Sequence, residues 1–98
     1  MNIEISPRDY DKKLNWYDAM LYCSMIEIDG KTDWRLPTLE ELSVIYTIEN
    51  NFWQSYYWTS TDADDTDKAW MLFLSHAQRF EVEKTFYGNH ARPVRTIT

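Results

Sequence analysis

Chemistry in this chain would have to come from a few groups of side chains. Four aspartates, Asp62, Asp64, Asp65 and Asp67, crowd one short segment. Ca²⁺ takes several carboxylate oxygens, so the cluster invites a calcium reading. The EF-hand spacing is not met, because no glycine follows and no glutamate sits at the loop's twelfth position. We read a solvated acidic loop and leave calcium binding there open. Ser60, in Tyr57-Trp58-Thr59-Ser60-Thr61, would need a base with an orienting partner to act as a nucleophile. The two histidines, His76 and His90, both flank expected turns, and nothing places either beside Ser60. The hydroxyls of this string are expected to satisfy backbone groups at a strand end.

The arginines divide in the same way. Arg35, in Asp33-Trp34-Arg35-Leu36-Pro37-Thr38, could bind an anion. Its five donors in one plane equally suit it to pinning a loop between two helices, paired with a carboxylate, while Trp34 fills the core. We adopt that structural reading, with a cost of about 3–5 kcal/mol on removing such a buried partner. Trp34→Ala or Arg35→Ala should then lower Tm sharply. Arg92 and Arg95 are expected on one strand face, paired with acids. The functional alternative is a small basic patch with Arg79, Lys84 and His90. Cys23 lies on an apolar helix face and is expected to be a small buried hydrophobe.

Phe52-Trp53-Gln54-Ser55-Tyr56 stands apart from these strings. Trp and Tyr often anchor protein interfaces. An exposed aromatic loop (Phe52, Trp53, Tyr56) beside an acidic loop (Asp64, Asp65, Asp67) would make a partner-binding surface. The alternative is that these rings plug the end of the core. Changing Trp53 and Tyr56 together to Ala separates the two, since an interface would lose binding and a core would unfold.

Composition bounds the class. Ninety-eight residues make one domain with one hydrophobic core. Five Trp and seven Tyr are ample for that core and exclude wholesale disorder. The net charge of −6 opposes a nucleic-acid-gripping role, which wants a basic balance. It favours a partner carrying positive charge. One cysteine excludes an internal disulfide and argues against a Cys-based zinc site, and it favours a reducing compartment. No segment approaches the roughly 18–20 apolar residues of a membrane helix, and the N-terminus has no signal-peptide pattern. No cofactor motif is present.

The elements that must position these groups follow from local signals. Residues 2–5 read as a strand with Ile3 and Ile5 on one face, and 6–13 as a loop. Asn15 caps helix one with Asp18 three residues later. Trp16, Ala19, Met20, Cys23 and Ile26 form its apolar face, and Asp29-Gly30 supplies its stop. Thr38 and Glu41 form a capping box for helix two, whose buried face is Leu39, Leu42, Ile45 and Tyr46 and whose end falls near Glu49. Residues 52–61 are a short strand or a packed loop, and 62–68 are exposed. Residues 69–75 and 79–84 make a hairpin, with Phe80 and Val82 on its dry face. Residues 91–97 form a last strand, with Pro93 marking an edge or bulge. Helices grouped early in β-α-α-β-β-β predict an α+β fold.

Several strings occur together in order: Leu14-Asn15-Trp16-Tyr17-Asp18-Ala19 with Cys23, Asp33-Trp34-Arg35-Leu36-Pro37-Thr38 with Glu41-Leu42, Tyr57-Trp58-Thr59-Ser60-Thr61, Ala69-Trp70, and Arg92-Pro93-Val94-Arg95. In this combination the chain resembles the C-terminal domain family of bacterial collagen-like adhesins, the Lcl-type domain. That family is similar to the formylglycine-generating-enzyme branch of C-type-lectin-like folds. The resemblance implies paired terminal strands and two helices docked on a twisted antiparallel sheet. It places Trp16, Trp34, Trp58 and Trp70 in the core. Formylglycine-generating enzymes depend on a cysteine pair, so one cysteine argues against enzymatic activity. The expectation is a non-enzymatic, C-type-lectin-like module that binds a protein in the bacterial cytoplasm. Its small size, few glycines, and many Asn, Ile, Tyr and Asp suit a phage or mobile-element inhibitor of a host protein or defence system. The alternative is a surface- or tail-associated module that binds a glycan or cell receptor by sugar stacking on Trp53 or Tyr56.

Overall fold

The computed structural model describes residues 2–48 and 51–97. In chain order the elements are β1 (Ile3–Ile5), one turn of 3₁₀ helix (Arg8–Tyr10), β2 (Lys12–Leu14), α1 (Trp16–Met25) and α2 (Leu39–Ile48). Then come β3 (Tyr56–Asp62), β4 (Lys68–Phe73), β5 (Gln78–Glu83), β6 (Asn89–Ala91) and β7 (Val94–Thr96). The fold is α+β, with two helices on a largely antiparallel sheet. The terminal strands β1 and β7 pair with each other, and the second sheet has the order β2-β6-β3-β4-β5. Only the β3–β6 pairing in that sheet is parallel, through Tyr57 and His90.

Both helix starts follow their local chemistry. Asn15 Oδ1 accepts from the Asp18 N–H at 2.8 Å. At α2, Thr38 Oγ1 accepts from the Glu41 N–H at 3.1 Å, and Glu41 Oε1 accepts from the Thr38 N–H at 2.8 Å. Two orphan donors are thus satisfied reciprocally. The expected stop at Asp29-Gly30 is corrected. Helix α1 already ends at Met25, and Ile28 and Lys31 exchange backbone hydrogen bonds at 3.0 Å around those two residues. Asp29 and Gly30 have φ of 53° and 80°, so the pair makes a tight hairpin turn of the kind that needs positive φ at both centres. The expected end of helix two at Glu49 lies outside the described residues.

Two further corrections concern strands. The expected loop 6–13 contains the 3₁₀ turn and leads into β2, which pairs with β6. The expected single strand 91–97 is two strands in two sheets, β6 and β7, with Arg92 and Pro93 crossing between them. Proline has no N–H for a ladder, and at the crossing none is needed. There its carbonyl accepts from the Ser6 N–H at 3.0 Å.

The single core expected from length is divided by the five-stranded sheet. Successive strand residues point to opposite faces, so Tyr57 and Trp58 enter different layers. Tyr57 packs with Phe52, Leu72, Leu74, Val94 and the α2 residues Leu39, Leu42 and Ile45. Trp58 packs with Leu36, Ala69, Met71, Ala91 and the α1 residues Ala19 and Cys23. A strand covered on both faces loses its alternation, and this explains the unbroken apolar run of β4. Ile3 and Ile5 join the α2 layer, as their shared face predicts. Cys23 is buried, and burial pushes its thiol pKa up to about 12. We expect no reaction with an aromatic disulfide reagent at pH 8 in the native state, and full reaction in denaturant.

Charge pairs fasten the terminal sheet. Arg95 bonds Asp33 at 2.6 Å and Glu4 at 2.9 Å, and Lys31 bonds Glu4 at 3.2 Å. Arg35 meets Glu41 through two parallel bonds of 2.7 and 2.8 Å, as the structural reading required. Its side chain is 36% exposed, however, so the cost expected for a buried partner is corrected to about 1 kcal/mol or less. Arg95 holds Glu4 and Asp33 below their usual carboxylate values, and Arg35 does the same to Glu41. A depressed carboxylate adds stability above its unfolded pKa, and that stability is lost as pH falls through the folded value. The urea midpoint should therefore be level above about pH 5 and fall below about pH 4. Glu41→Gln should shrink that fall, and a fall of unchanged size would refute the assignment.

Candidate functional site

The expected aromatic and acidic surface does not exist as one surface. Strand β3 is seven residues long, so its ends stand about 20 Å apart. The loop with Trp53 leads into its start, and the acidic loop leaves its end. Asp64, Asp65 and Asp67 are exposed, and Asp65 Oδ1 accepts from the Asp67 N–H at 3.0 Å, an Asx-type turn. Asp62 pairs with the buried Lys84 at 2.7 Å. No cluster of three metal-ligating side chains occurs among the described residues.

Nor do the three rings of the aromatic loop act together. Phe52 is 6% exposed and lies edge-on to Tyr57 in the α2 layer, so its assignment to a binding surface is corrected. Trp53 is 49% exposed, with the Arg8 guanidinium 3.6 Å from its ring centroid and His90 beside it at 6.5 Å. Tyr56 points to the other sheet face, opposite Tyr57, and stacks on Phe73 at 4.4 Å.

Tyr56 instead belongs to an open cleft of about 340 Å³, lined with Met71, Phe80, Phe86 and Asn89. Strands β3, β4, β5 and β6 each contribute one of these residues, and Phe86 comes from the β5–β6 loop. Helix α1 covers this sheet face over Trp58 and Ala69, with Val82 packed alongside. Phe80, two residues before Val82, is left 39% exposed, which corrects its expected place on a dry face. A Cβ at Gly88 would lie 2.3 Å from the Phe86 ring, so glycine is what lets that ring sit against the loop. Asn89 is fully buried. Its Nδ2 donates to the Met71 sulfur at 3.1 Å, and its Oδ1 has no partner among the described residues. An unpaired buried acceptor costs about 1–3 kcal/mol. Sequence reasoning missed this cleft except for Tyr56. The string Tyr87-Gly88-Asn89 signals a turn in the sequence, but the turn lies at Lys84 and Thr85 and Asn89 opens β6, and nothing local marks Asn89 as buried.

A second polar centre lies under Trp53. Asp11 is held by the Tyr57 hydroxyl, by His90 Nδ1 at 2.6 Å and by the Arg92 guanidinium at 3.8 Å. Tyr57 stacks on His90 at 5.1 Å. Burial, and then the hydrogen bond to Asp11, push the Tyr57 hydroxyl well above the usual phenol range. Arg92 also donates to the carbonyls of Ser6 and Asn51. This centre ties the N-terminal segment to the sheet.

The basic patch considered for Arg92, Arg95, Arg79, Lys84 and His90 is thereby corrected. Arg92 is buried on Asp11, Arg95 pairs with Asp33 and Glu4 on the terminal sheet, and Lys84 pairs with Asp62. Ser60 bonds the Pro37 carbonyl, while His90 is engaged by Asp11 and His76 stacks on Phe73 at 5.1 Å. Thr59 donates to the Trp70 carbonyl at 2.8 Å, and Thr61 Oγ1 accepts from the Leu39 N–H at 3.0 Å. These hydroxyls serve the backbone, as expected.

No curated protein matches the chain. The profile of the Lcl C-terminal domain family matches residues 4–95. That span takes in both helices, both sheets and the aromatic cleft. The chain therefore belongs to the Lcl C-terminal domain family.

Proposed function

We propose that this chain is a small non-enzymatic binding module that docks the Tyr56–Phe80–Phe86 cleft on a protein partner. The observation that carries this reading is the cleft itself, three partly exposed rings beside Met71 and the buried Asn89. Aromatic anchors in such depressions supply much of the energy of protein interfaces. The single buried thiol suits a reducing cytoplasm, and the compact acidic chain suits a phage or mobile-element product that covers a host protein's own site. Trp53, on Arg8, is a separate contact at most and is not part of the cleft.

The test is affinity capture from bacterial lysate with the native chain, Tyr56→Ser/Phe80→Ser and Trp53→Ala. A stoichiometric protein held by the native chain and by Trp53→Ala, but lost from the folded double variant, is the expected result. Retention equal in all three would refute the cleft as the contact.

The adhesin resemblance favours a second reading, an exported or tail-associated module for a glycan or cell receptor. Sugar faces stack on aromatic rings, and Tyr56 and Phe80 are exposed enough to offer them. Retention on whole cells or envelope glycans, with no protein captured from lysate, would favour it. No helix among the described residues is long and apolar enough to cross a membrane.

A further inference from the structure

We infer that two copies of this chain pair through their β5 strands, antiparallel, with Phe80 facing Phe80 across a twofold axis and each Arg79 facing the partner's Glu81. Strand β5 is an outer strand of the five-stranded sheet. Its ladder with β4 shows which of its backbone groups turn outward. The Lys84 N–H donates to the Asp67 carbonyl at 2.9 Å. Hydrogen-bonded and unbonded pairs alternate along an antiparallel ladder. Val82 and Phe80 therefore turn their N–H and C=O groups to β4, and Arg79 and Glu81 turn theirs out. No other backbone group among the described residues bonds those of Arg79 or Glu81. Such a row is a template for a further strand. The opposite edge of the sheet is blunted, since β2 has three residues and two of them are exposed lysines. Strand β5 has six residues and carries both signs of charge. Arg79 and Glu81 are exposed, and among the described residues neither makes an ion pair.

The order of those charges selects a second β5 as the occupant, and it selects one register. Bonded pairs of the new ladder must join outward residues. With Arg79 opposite Glu81, a twofold axis makes the Arg–Glu pair twice and sets no like charges opposite each other. A slip of one bonded step one way sets Arg79 against Arg79. A slip the other way sets Glu81 against Glu81, between two Arg79–Glu83 pairs. Like charges directly opposite are destabilising. The chosen register also places Phe80 against Phe80 in an unbonded pair, where facing side chains stand closest. Phe80 is 39% exposed, so the two rings have apolar surface to cover.

The experiment is sedimentation equilibrium on the purified chain, so its outcome is separate from capture of a host protein. One short strand makes a small interface, and the dimer is expected to form between about 10 µM and 1 mM. Arg79→Glu alone and Glu81→Arg alone each set like charges opposite, and each should associate at least about tenfold more weakly. Both sites are exposed, so circular dichroism should stay native. An equimolar mixture of the two single variants restores opposite charges at every position and should associate again, as should the double variant. Amide exchange at Arg79 and Glu81 should slow as concentration rises, because their N–H groups enter the new ladder. A chain that stays monomeric at 1 mM overturns the inference. So does a dimer that both single variants keep, or a mixture that fails to associate. A dimer that leaves those two amides unprotected forms through another face and overturns it as well.

Discussion

Replacing Arg92 by alanine should cost about 3–5 kcal/mol of folding stability. In a domain of this size each kcal/mol moves Tm by about 4–8 °C, so the variant should be largely unfolded at 37 °C. Arg92 is 2% exposed. Its guanidinium donates to the Ser6 carbonyl at 3.0 and 2.8 Å and to the Asn51 carbonyl at 2.7 Å, and lies 4.8 Å from the Phe52 ring centroid. It also lies 3.8 Å from the buried Asp11 carboxylate. Truncation removes these bonds and, among the described residues, leaves Asp11 with the Tyr57 and His90 contacts. An ion stripped of its partner in the interior costs far more than the pair contributed. Arg92→Lys keeps the charge but not the planar fork, so it should recover less than half of the loss. Urea unfolding of the two variants decides the matter. A loss below about 1 kcal/mol in Arg92→Ala would show that Asp11 does not depend on it.

Trp58→Ala should cost a similar amount, about 3–5 kcal/mol, by a different mechanism. The side chain is fully buried in the α1 layer against Ala19, Cys23, Leu36 and Met71, so its removal opens a cavity that neighbours fixed by the backbone cannot fill. Trp58 Nε1 also donates to the Leu14 carbonyl at 2.8 Å, which fastens the end of β2. Trp58→Phe separates the two contributions. It keeps much of the ring and loses the N–H, for about 1–3 kcal/mol. Hydrogen exchange should then accelerate in β2 and β6 while β4 and β5 stay protected. Uniform acceleration across the sheet would mean that packing, not this bond, was lost.

The sequence by itself determined whatever depends on a few neighbouring residues. Asn15 and the Thr38–Glu41 pair mark where helices begin, because a cap is made within one turn. The alternation in 79–84 marks a strand, and the apolar helix face predicts a buried Cys23. The ordered strings from Leu14 to Arg95 identified the family and, with it, the pairing of the terminal strands. Tertiary structure decided everything that depends on a distant partner. Strand β2 has three residues and carries no pattern of its own, and it exists because β6 pairs with it. Phe52 and Trp53 are adjacent and similar in type. One is buried because Tyr57 lies edge-on to it, and the other is exposed with Arg8 beside its ring. Arg92 and Arg95 share one short string, yet the chain changes sheets between them, so one is interior and the other lies on the terminal sheet. The cleft gathers residues from position 56 to position 89, and only strand register sets Tyr56, Met71 and Phe80 on the same face. Register is a long-range property, fixed by which faces are buried. That is why a chain read locally showed its helices and its family, and hid the aromatic cleft.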